Sequence, residues 1–351
     1  MSVPQTVPVA PQGGSVQIEL ASRASLTLRV AHALLRATVR PGLDKIAILG
    51  NHGPLRGAPA FRIANLAELI VLPLRAPRGT LRRPVRYPDF RAEWLWHKDI
   101  PGPEDTGRGA ILYFHGGGFV AGGLHSHRRL VARIARVAAL PALAVDYRQL
   151  PKGHITESVA DAVHAYRSLL DQGFAPEKIV FAGDSAGGGL TFAAALAARD
   201  QGLPVPGAIA AIAPWADFDP SIRRAHPNDR TDAMLSAFSL SVPVLVGFAR
   251  DGELDPSWSP VNHEFTGMPP VLIQVGSTEV LLPDAEALAR RCAAAGVPCT
   301  LQIWDRAIHV FQAGADILPD ARAAIAELGT FIGSAVAAGH RGDRDGRASA
   351  A

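Results

Sequence analysis

One stretch limits what this chain can fold into more than any other: Lys178-Ile179-Val180-Phe181-Ala182-Gly183-Asp184-Ser185-Ala186-Gly187-Gly188-Gly189, followed by Leu190 to Asp200. Its first part is a short apolar run of strand type, and its Ala- and Leu-rich last part, stopping at Gly202, reads as a helix. No residues remain between the two for an ordinary loop. The chain therefore passes from strand to helix at Ser185, which strains the backbone there. The flanking positions must be nearly free of side chain, a need that Gly183 and Gly187 meet. Such a turn leaves the serine hydroxyl exposed at the top of the sheet and aims the amide of Ala186 at whatever the serine attacks. Ser185 is thus a candidate nucleophile; the alternative is a Gly-rich helix start that merely packs tightly.

The 351 residues are 48% apolar and 19% charged, enough for a large core. Two domains would fit the length, but so would one α/β domain with an accessory lid. We find no apolar run long enough to span a bilayer and, over Met1 to Leu20, no apolar segment of signal-peptide type. Two cysteines, Cys292 and Cys299, suggest neither a disulfide framework nor a zinc site. The expectation is a cytoplasmic protein that needs no cofactor and no metal. Net charge is +3 but uneven, with 14 Lys/Arg against 6 Asp/Glu over residues 1–100 and an acidic excess beyond. The basic segment marks a separate surface for lipid or an acidic partner. It carries no nucleic-acid-binding motif.

Along the chain, residues 1–20 read as a flexible leader and 21–84 as a cap or lid. Within the cap, Ser25 to Arg40 has helical periodicity ended by Pro41-Gly42. Arg29, Arg36 and Arg40 fall on one stripe, with Leu26, Leu28, Val30, Leu34 and Leu35 spread over the opposite face. Docking as part of a lid is the expectation, because one short basic helix gives only weak membrane-surface affinity. Residues 41–80 resist assignment apart from an apolar run, Leu66 to Leu74. From residue 85 to 337, strand-like runs (Glu93 to His97, Ala110 to Phe114, Ala142 to Asp146, Ile179 to Ala182, Ala208 to Ala213, Val271 to Val275, Thr300 to Trp304) alternate with helical ones. That rhythm predicts an α/β fold with a mostly parallel sheet and helices on both faces. Residues 219–260 interrupt it, as an insertion over the C-terminal edge of the sheet. The polar tail from Ala338 reads as disordered.

A second glycine cluster follows the strand Ala110 to Phe114: His115-Gly116-Gly117-Gly118-Phe119. Consecutive glycines let amides turn inward without Cβ clashes. Acyl transfer needs such donors, because charge develops on the carbonyl oxygen in the transition state. A phosphate cradle is the competing reading, but the Walker spacing and its lysine are absent, as is Gly-x-Gly-x-x-Gly. His115 is expected to brace the loop. His125 and His127 lack a third ligand at metal spacing and read as structural or rim residues.

His115-Gly-Gly-Gly118 upstream of Gly183-Asp-Ser-Ala-Gly-Gly188 resembles the hormone-sensitive-lipase family of α/β-hydrolase esterases. Val145-Asp146-Tyr147-Arg148, Ala213-Pro214-Trp215-Ala216-Asp217 and Pro269-Pro270 agree with it, and the likeness covers roughly residues 85–335. One departure is Gln149-Leu150-Pro151-Lys152, where the family usually has Leu-Ala-Pro-Glu. The resemblance implies carboxylic ester hydrolysis through a serine, a histidine and an acid in that chain order. Of the 12 histidines, His226 and His263 precede the last strands and His340 lies in the tail, which leaves His309 as the base. The family's acid follows the strand Val271 to Val275. Matching that loop puts Glu279 at the position, 30 residues before His309. Asp284 is the alternative, although after Pro283 it reads more simply as a first-turn helix carboxylate.

The expected site is therefore Ser185, His309 and Glu279, with an oxyanion hole from Gly117, Gly118 and Ala186 that Gly116 shapes, and a pocket wall of Phe119 and Trp215. The resemblance implies short- to medium-chain esters as substrates. A lactonase, amidase or lipase on the same residues, a non-catalytic small-molecule receptor, and a lipid-surface protein acting through the basic helix all stay open. So does a homodimer.

Overall fold

The structure is a computed structural model and describes residues 5–7, 16–21, 23–70 and 75–349. Its strands are β1 (Gln5–Val7), β2 (Val16–Leu20), β3 (Thr80–Arg86), β4 (Arg91–His97), β5 (Ala110–Phe114), β6 (Ala142–Asp146), β7 (Ile179–Asp184), β8 (Ala208–Ile212), β9 (Val271–Gly276) and β10 (Cys299–Trp304). They form one sheet in the order β1-β2-β10-β9-β8-β7-β5-β6-β4-β3. From β2 to β6 every neighbouring pair is parallel; β1, β4 and β3 run antiparallel to their neighbours. The helices are α1 (Leu26–Asn51), α2 (Ala58–Ile70), α3 (Leu124–Ala138), α4 (Ile155–Asp171), α5 (Ala186–Asp200), α6 (Ser221–Ala225), α7 (Asn228–Thr231), α8 (Ala237–Pro243), α9 (Leu282–Ala294) and α10 (Pro319–Ser349).

Strands β5, β7 and β8 are continuous apolar runs because they are buried on both faces. Successive residues of β7 alternate between two cores. Ile179 and Phe181 pack with α4, α5 and α9, whereas Val180 and Ala182 pack with α3 and α10. A parallel sheet covered this way collects its loops at the carboxyl ends of the strands, where α/β proteins hold their ligands.

Several expectations change. The leader is not wholly loose: β2 pairs in parallel with β10, with Ile18 opposite Leu301. Its Val-Gln-Ile-Glu-Leu alternation suits a strand, and it covers what would be an open edge of β10. The first cap helix does not stop at Pro41 but continues to Asn51 with Pro41 inside it. Proline removes one helix donor, and because Pro41 is exposed, water can satisfy the carbonyl it leaves unpaired. The apolar run Leu66 to Leu74 begins within α2, while residues 71–74 lie outside the described residues. Thr80–Arg86 adds a strand before residue 85. The tail expected to be disordered from Ala338 continues α10 through Ser349. Within α10, Pro319–Gly339 is long and apolar enough to cross a membrane by composition. Its Ala321, Ile325, Leu328, Ile332 and Val336 are nevertheless buried in a core at the spacing of one helix face.

Candidate active site

Five parallel strands deliver the site. β7 ends at Asp184, and Ser185 enters α5 with φ 54° and ψ −121°, a strained conformation for a non-glycine residue. Three backbone bonds hold it there. Its amide donates to Ile212 O (2.8 Å), and its carbonyl accepts from Gly189 N (3.0 Å) and Trp215 N (2.9 Å). A Cβ on Gly187 would run into the carbonyl of Phe114, so only glycine permits the β5 and β7 ends to close this tightly.

The loop after β10 brings His309 to Ser185, with Nε2 at 2.8 Å from Oγ. On the other side of the ring, Nδ1 lies 2.7 Å from Oε2 of Glu279. The amide of Gly276 donates to the second oxygen of Glu279 (2.7 Å), which fixes the carboxylate at the end of β9. The Ser277 hydroxyl accepts the amide of Arg306 (2.9 Å) and so ties the acid loop to the histidine loop. Ser185 is only 4% exposed and Glu279 1%. Burial would lower the His309 pKa, but the hydrogen bond and charge of Glu279, with Asp232 and Asp184 farther off, outweigh it and raise the imidazole above its ordinary value. Burial also raises Glu279, against the opposing pull of His309 and the Gly276 amide.

Asp284 lies elsewhere. It is not a first-turn carboxylate serving the helix dipole alone but a fully buried partner of Arg223, whose Nη1 is 3.0 Å from both its oxygens. It also accepts the amides of Ala216 (3.0 Å) and Asp217 (2.9 Å), fixing the segment that follows β8.

Gly117 (φ 119°) and Gly118 (φ 64°) occupy conformations that favour glycine. Among the described residues neither of their amides has a hydrogen-bond partner. The amide of Gly116 is different, being directed at Nε2 of His127 (3.3 Å). Gly116 therefore shapes the loop and leaves donation to its neighbours. Phe119 and Trp215, expected to line a pocket, are buried in an aromatic cluster with Phe218 and Phe248, at ring separations of 5.1–6.1 Å. His115 stacks on Tyr147 and bonds the Gly116 carbonyl through Nδ1 (2.7 Å), which braces the loop.

Two residues escaped the sequence reading, Asp184 and Asp232. Asp184, the variable position of Gly-x-Ser, is buried between the Tyr113 hydroxyl (2.7 Å) and His127 Nε2 (3.2 Å). Burial would raise its pKa, but the charge and hydrogen bond of His127 hold it below the ordinary carboxylate value. His127, half-buried, bridges the elbow and the glycine loop, which is the structural role among the two expected of it. Asp232, inside the 219–260 insertion, accepts the amide of Val280 (2.7 Å), beside Glu279. Nothing in its local sequence signals that contact.

A family model described as the alpha/beta hydrolase fold matches residues 111–313, more than half of the chain. The chain belongs to the α/β-hydrolase family. Within it, a crystal structure titled as an esterase from the bacterial hormone-sensitive lipase family is 33% identical, with a TM-score of 0.73 over 84% of this chain and 98% of that one. That places this α/β-hydrolase in the hormone-sensitive-lipase group. Esterase LipU of Mycobacterium tuberculosis is 38% identical over 84% of this chain and 98% of the relative. An acetyl-hydrolase of Streptomyces hygroscopicus is 39% identical over 71% of this chain and 81% of the relative. EstE5, solved after soaking with p-nitrophenyl butyrate, is 34% identical with a TM-score of 0.75, covering 90% of this chain and 100% of that one.

Proposed function

We propose that this α/β-hydrolase is a serine carboxylesterase acting on short- to medium-chain esters through an acyl-enzyme on Ser185. The observation that carries the reading is the unbroken line Ser185 Oγ–His309 Nε2–Glu279 at 2.8 and 2.7 Å. Curated relatives named esterase and acetyl-hydrolase support the reaction class. The near-complete burial of Ser185 supports a small acyl group.

In this reading His309 Nε2 takes the hydroxyl proton as Ser185 Oγ attacks the ester carbonyl carbon. Glu279 holds the ring in the tautomer with Nδ1 protonated and stabilises the imidazolium that forms. The carbonyl π pair moves onto oxygen, where the amides of Gly117, Gly118 and Ala186 receive the charge; losing one such donor costs about a hundred- to a thousandfold in rate. The bond to the alcohol oxygen then breaks, and His309 returns the proton to it. Water, deprotonated by the same nitrogen, attacks the acyl-enzyme and releases the carboxylic acid. None of these steps calls on a cofactor.

A cytoplasmic location stays with this reading on the two free, buried thiols of Cys292 and Cys299. The test is a hydrolysis profile over p-nitrophenyl esters of increasing acyl length, with Ser185→Ala as the blank. Activity highest on short chains and lost in the variant supports the reading. Activity that survives in Ser185→Ala, or none from the folded parent protein on any ester, would overturn it.

A further inference from the structure

The cap is held to the body by polar groups of both helices, beside the buried Leu28 of α1 and Phe61 of α2. On α1, Arg36 Nη2 donates to Arg230 O (2.8 Å), and Arg40 donates to Asp232 O (3.1 Å) and Asp229 O (2.8 Å). His32 Nε2 lies 3.1 Å from Thr278 Oγ1, one residue before Glu279. On α2, Asn65 donates to Val120 O and Leu150 O (both 2.9 Å), and Glu68 accepts the amides of His125 and Ser126. The two helices therefore straddle the loops on either side of Ser185.

An apolar face remains outside. Leu26, Val30 and Leu34 recur every fourth residue along α1, and Ile63, Leu66 and Leu69 share one side of α2. All six are 56–74% exposed. The same segment carries Arg23, Arg29, Lys45, Arg56 and Arg62, exposed and without an ion-pair partner among the described residues. Over residues 23–70 the two acids are Asp44 and Glu68. Both are engaged inward, Asp44 with Arg40 (3.0 Å) and Ser236 (2.6 Å), Glu68 with the start of α3. The outer face of the cap is thus hydrophobic and purely cationic.

We propose that this face docks on the surface of an anionic lipid bilayer, apolar side chains seated at the level of the headgroups and cations paired with lipid phosphates. An exposed apolar patch of this extent marks an interaction site. Charge selects the occupant. A second copy of the chain would oppose five cations with five more and supply no anion, whereas an anionic leaflet complements them. Leu26, Val30 and Leu34 of α1 stand exposed on a helix whose start is tied to the body through Ser25 and Asp320, a disposition that suits an interface. Docking goes beyond the ester-hydrolase reading and does not depend on it.

The full chain carrying Ser185→Ala, which silences hydrolysis, is sedimented with vesicles of phosphatidylcholine alone and of phosphatidylcholine mixed with phosphatidylglycerol. The protein should follow the anionic vesicles and release as salt is raised, since surface attraction is screened. Replacing Leu26, Val30 and Leu34 together by serine should weaken the partition about tenfold or more, because apolar burial scales with the side chains removed. A second variant, Arg29→Glu with Arg62→Glu, should weaken it for anionic vesicles while leaving the apolar face intact. Circular dichroism of each variant checks that it is folded. Absence of sedimentation with anionic vesicles, or equal binding to both vesicle types at any salt, would overturn the proposal. So would a dimer in sedimentation equilibrium that dissolves when the leucine-valine stripe is replaced.

Discussion

Around Ser185 the backbone is fixed from every side, whereas the cap is held by polar contacts and only a few buried apolar side chains, Leu28 and Phe61 among them. The elbow residue makes three backbone bonds, has a glycine two residues away on either side, and sits in a sheet whose central strands are sealed by two cores. In α1, by contrast, only Leu28, Ala47 and Gly50 are fully buried, and the helix is attached largely through arginine to carbonyl oxygens of the 219–260 insertion. A strained, over-determined backbone persists only where packing enforces it. A cap held by hydrogen bonds has more freedom to shift over the site, since segments with few buried apolar contacts open at low free-energy cost.

The sharpest way to break this contrast is within the site. Glu279→Gln should lower kcat by about four orders of magnitude, as the wrong histidine tautomer then faces the serine. The variant also removes the main influence that raises His309. The base works only when neutral, so the acid limb of kcat/KM, which marks His309 protonation, should move to lower pH. A limb that stays fixed or moves upward would remove Glu279 from the orienting role.

Asp284→Asn tests whether the second buried carboxylate belongs to the chemistry or to the scaffold. It leaves Arg223, 1% exposed, without its counter-charge. Breaking such a pair costs about 3–5 kcal/mol. Urea denaturation should show the loss, while kcat measured on folded protein falls far less than in Glu279→Gln. An unchanged denaturation midpoint with kcat collapsed would reverse the two assignments.

The smallest effect belongs to the cap. Arg40→Ala removes two bonds to carbonyls and one to Asp44. With charged donors at a partly exposed site, about 1–3 kcal/mol of local stability is at stake. Native-state hydrogen exchange should show faster opening over Leu26–Asn51 with little change in β5, β7 and β8. Protection lost equally in the central strands would mean that cap and body open as one unit.

The same contrast explains what could be read from sequence. Gly183-x-Ser185-x-Gly187 and the glycines after Phe114 are legible because local backbone demands fix them, and His309 followed from its place after the last strand. The line from Ser185 to Glu279 therefore had its members named before their positions were known. What stayed hidden depends on partners far along the chain. Val16–Leu20 alternates like a strand, but only its pairing with Cys299–Trp304 reveals a strand of the main sheet in place of a leader. Asp232, 48 residues from Val280, carries no local signature of the bond it makes. Helical periodicity put Arg29, Arg36 and Arg40 opposite Leu26, Leu28, Val30, Leu34 and Leu35, but the structure divides both groups: Leu28 and Leu35 pack inward while Arg29 is exposed with Leu26, Val30 and Leu34. Carbonyls of residues 229–232 hold Arg36 and Arg40.

The most direct test of the account is to inactivate the enzyme with diethyl p-nitrophenyl phosphate and map the adduct by peptide mass spectrometry. The expected result is a single diethylphosphoryl group per chain, on Ser185, formed in step with the loss of esterase activity. Label on any other residue at full inactivation, or hydrolysis that continues after Ser185 is fully modified, would contradict it.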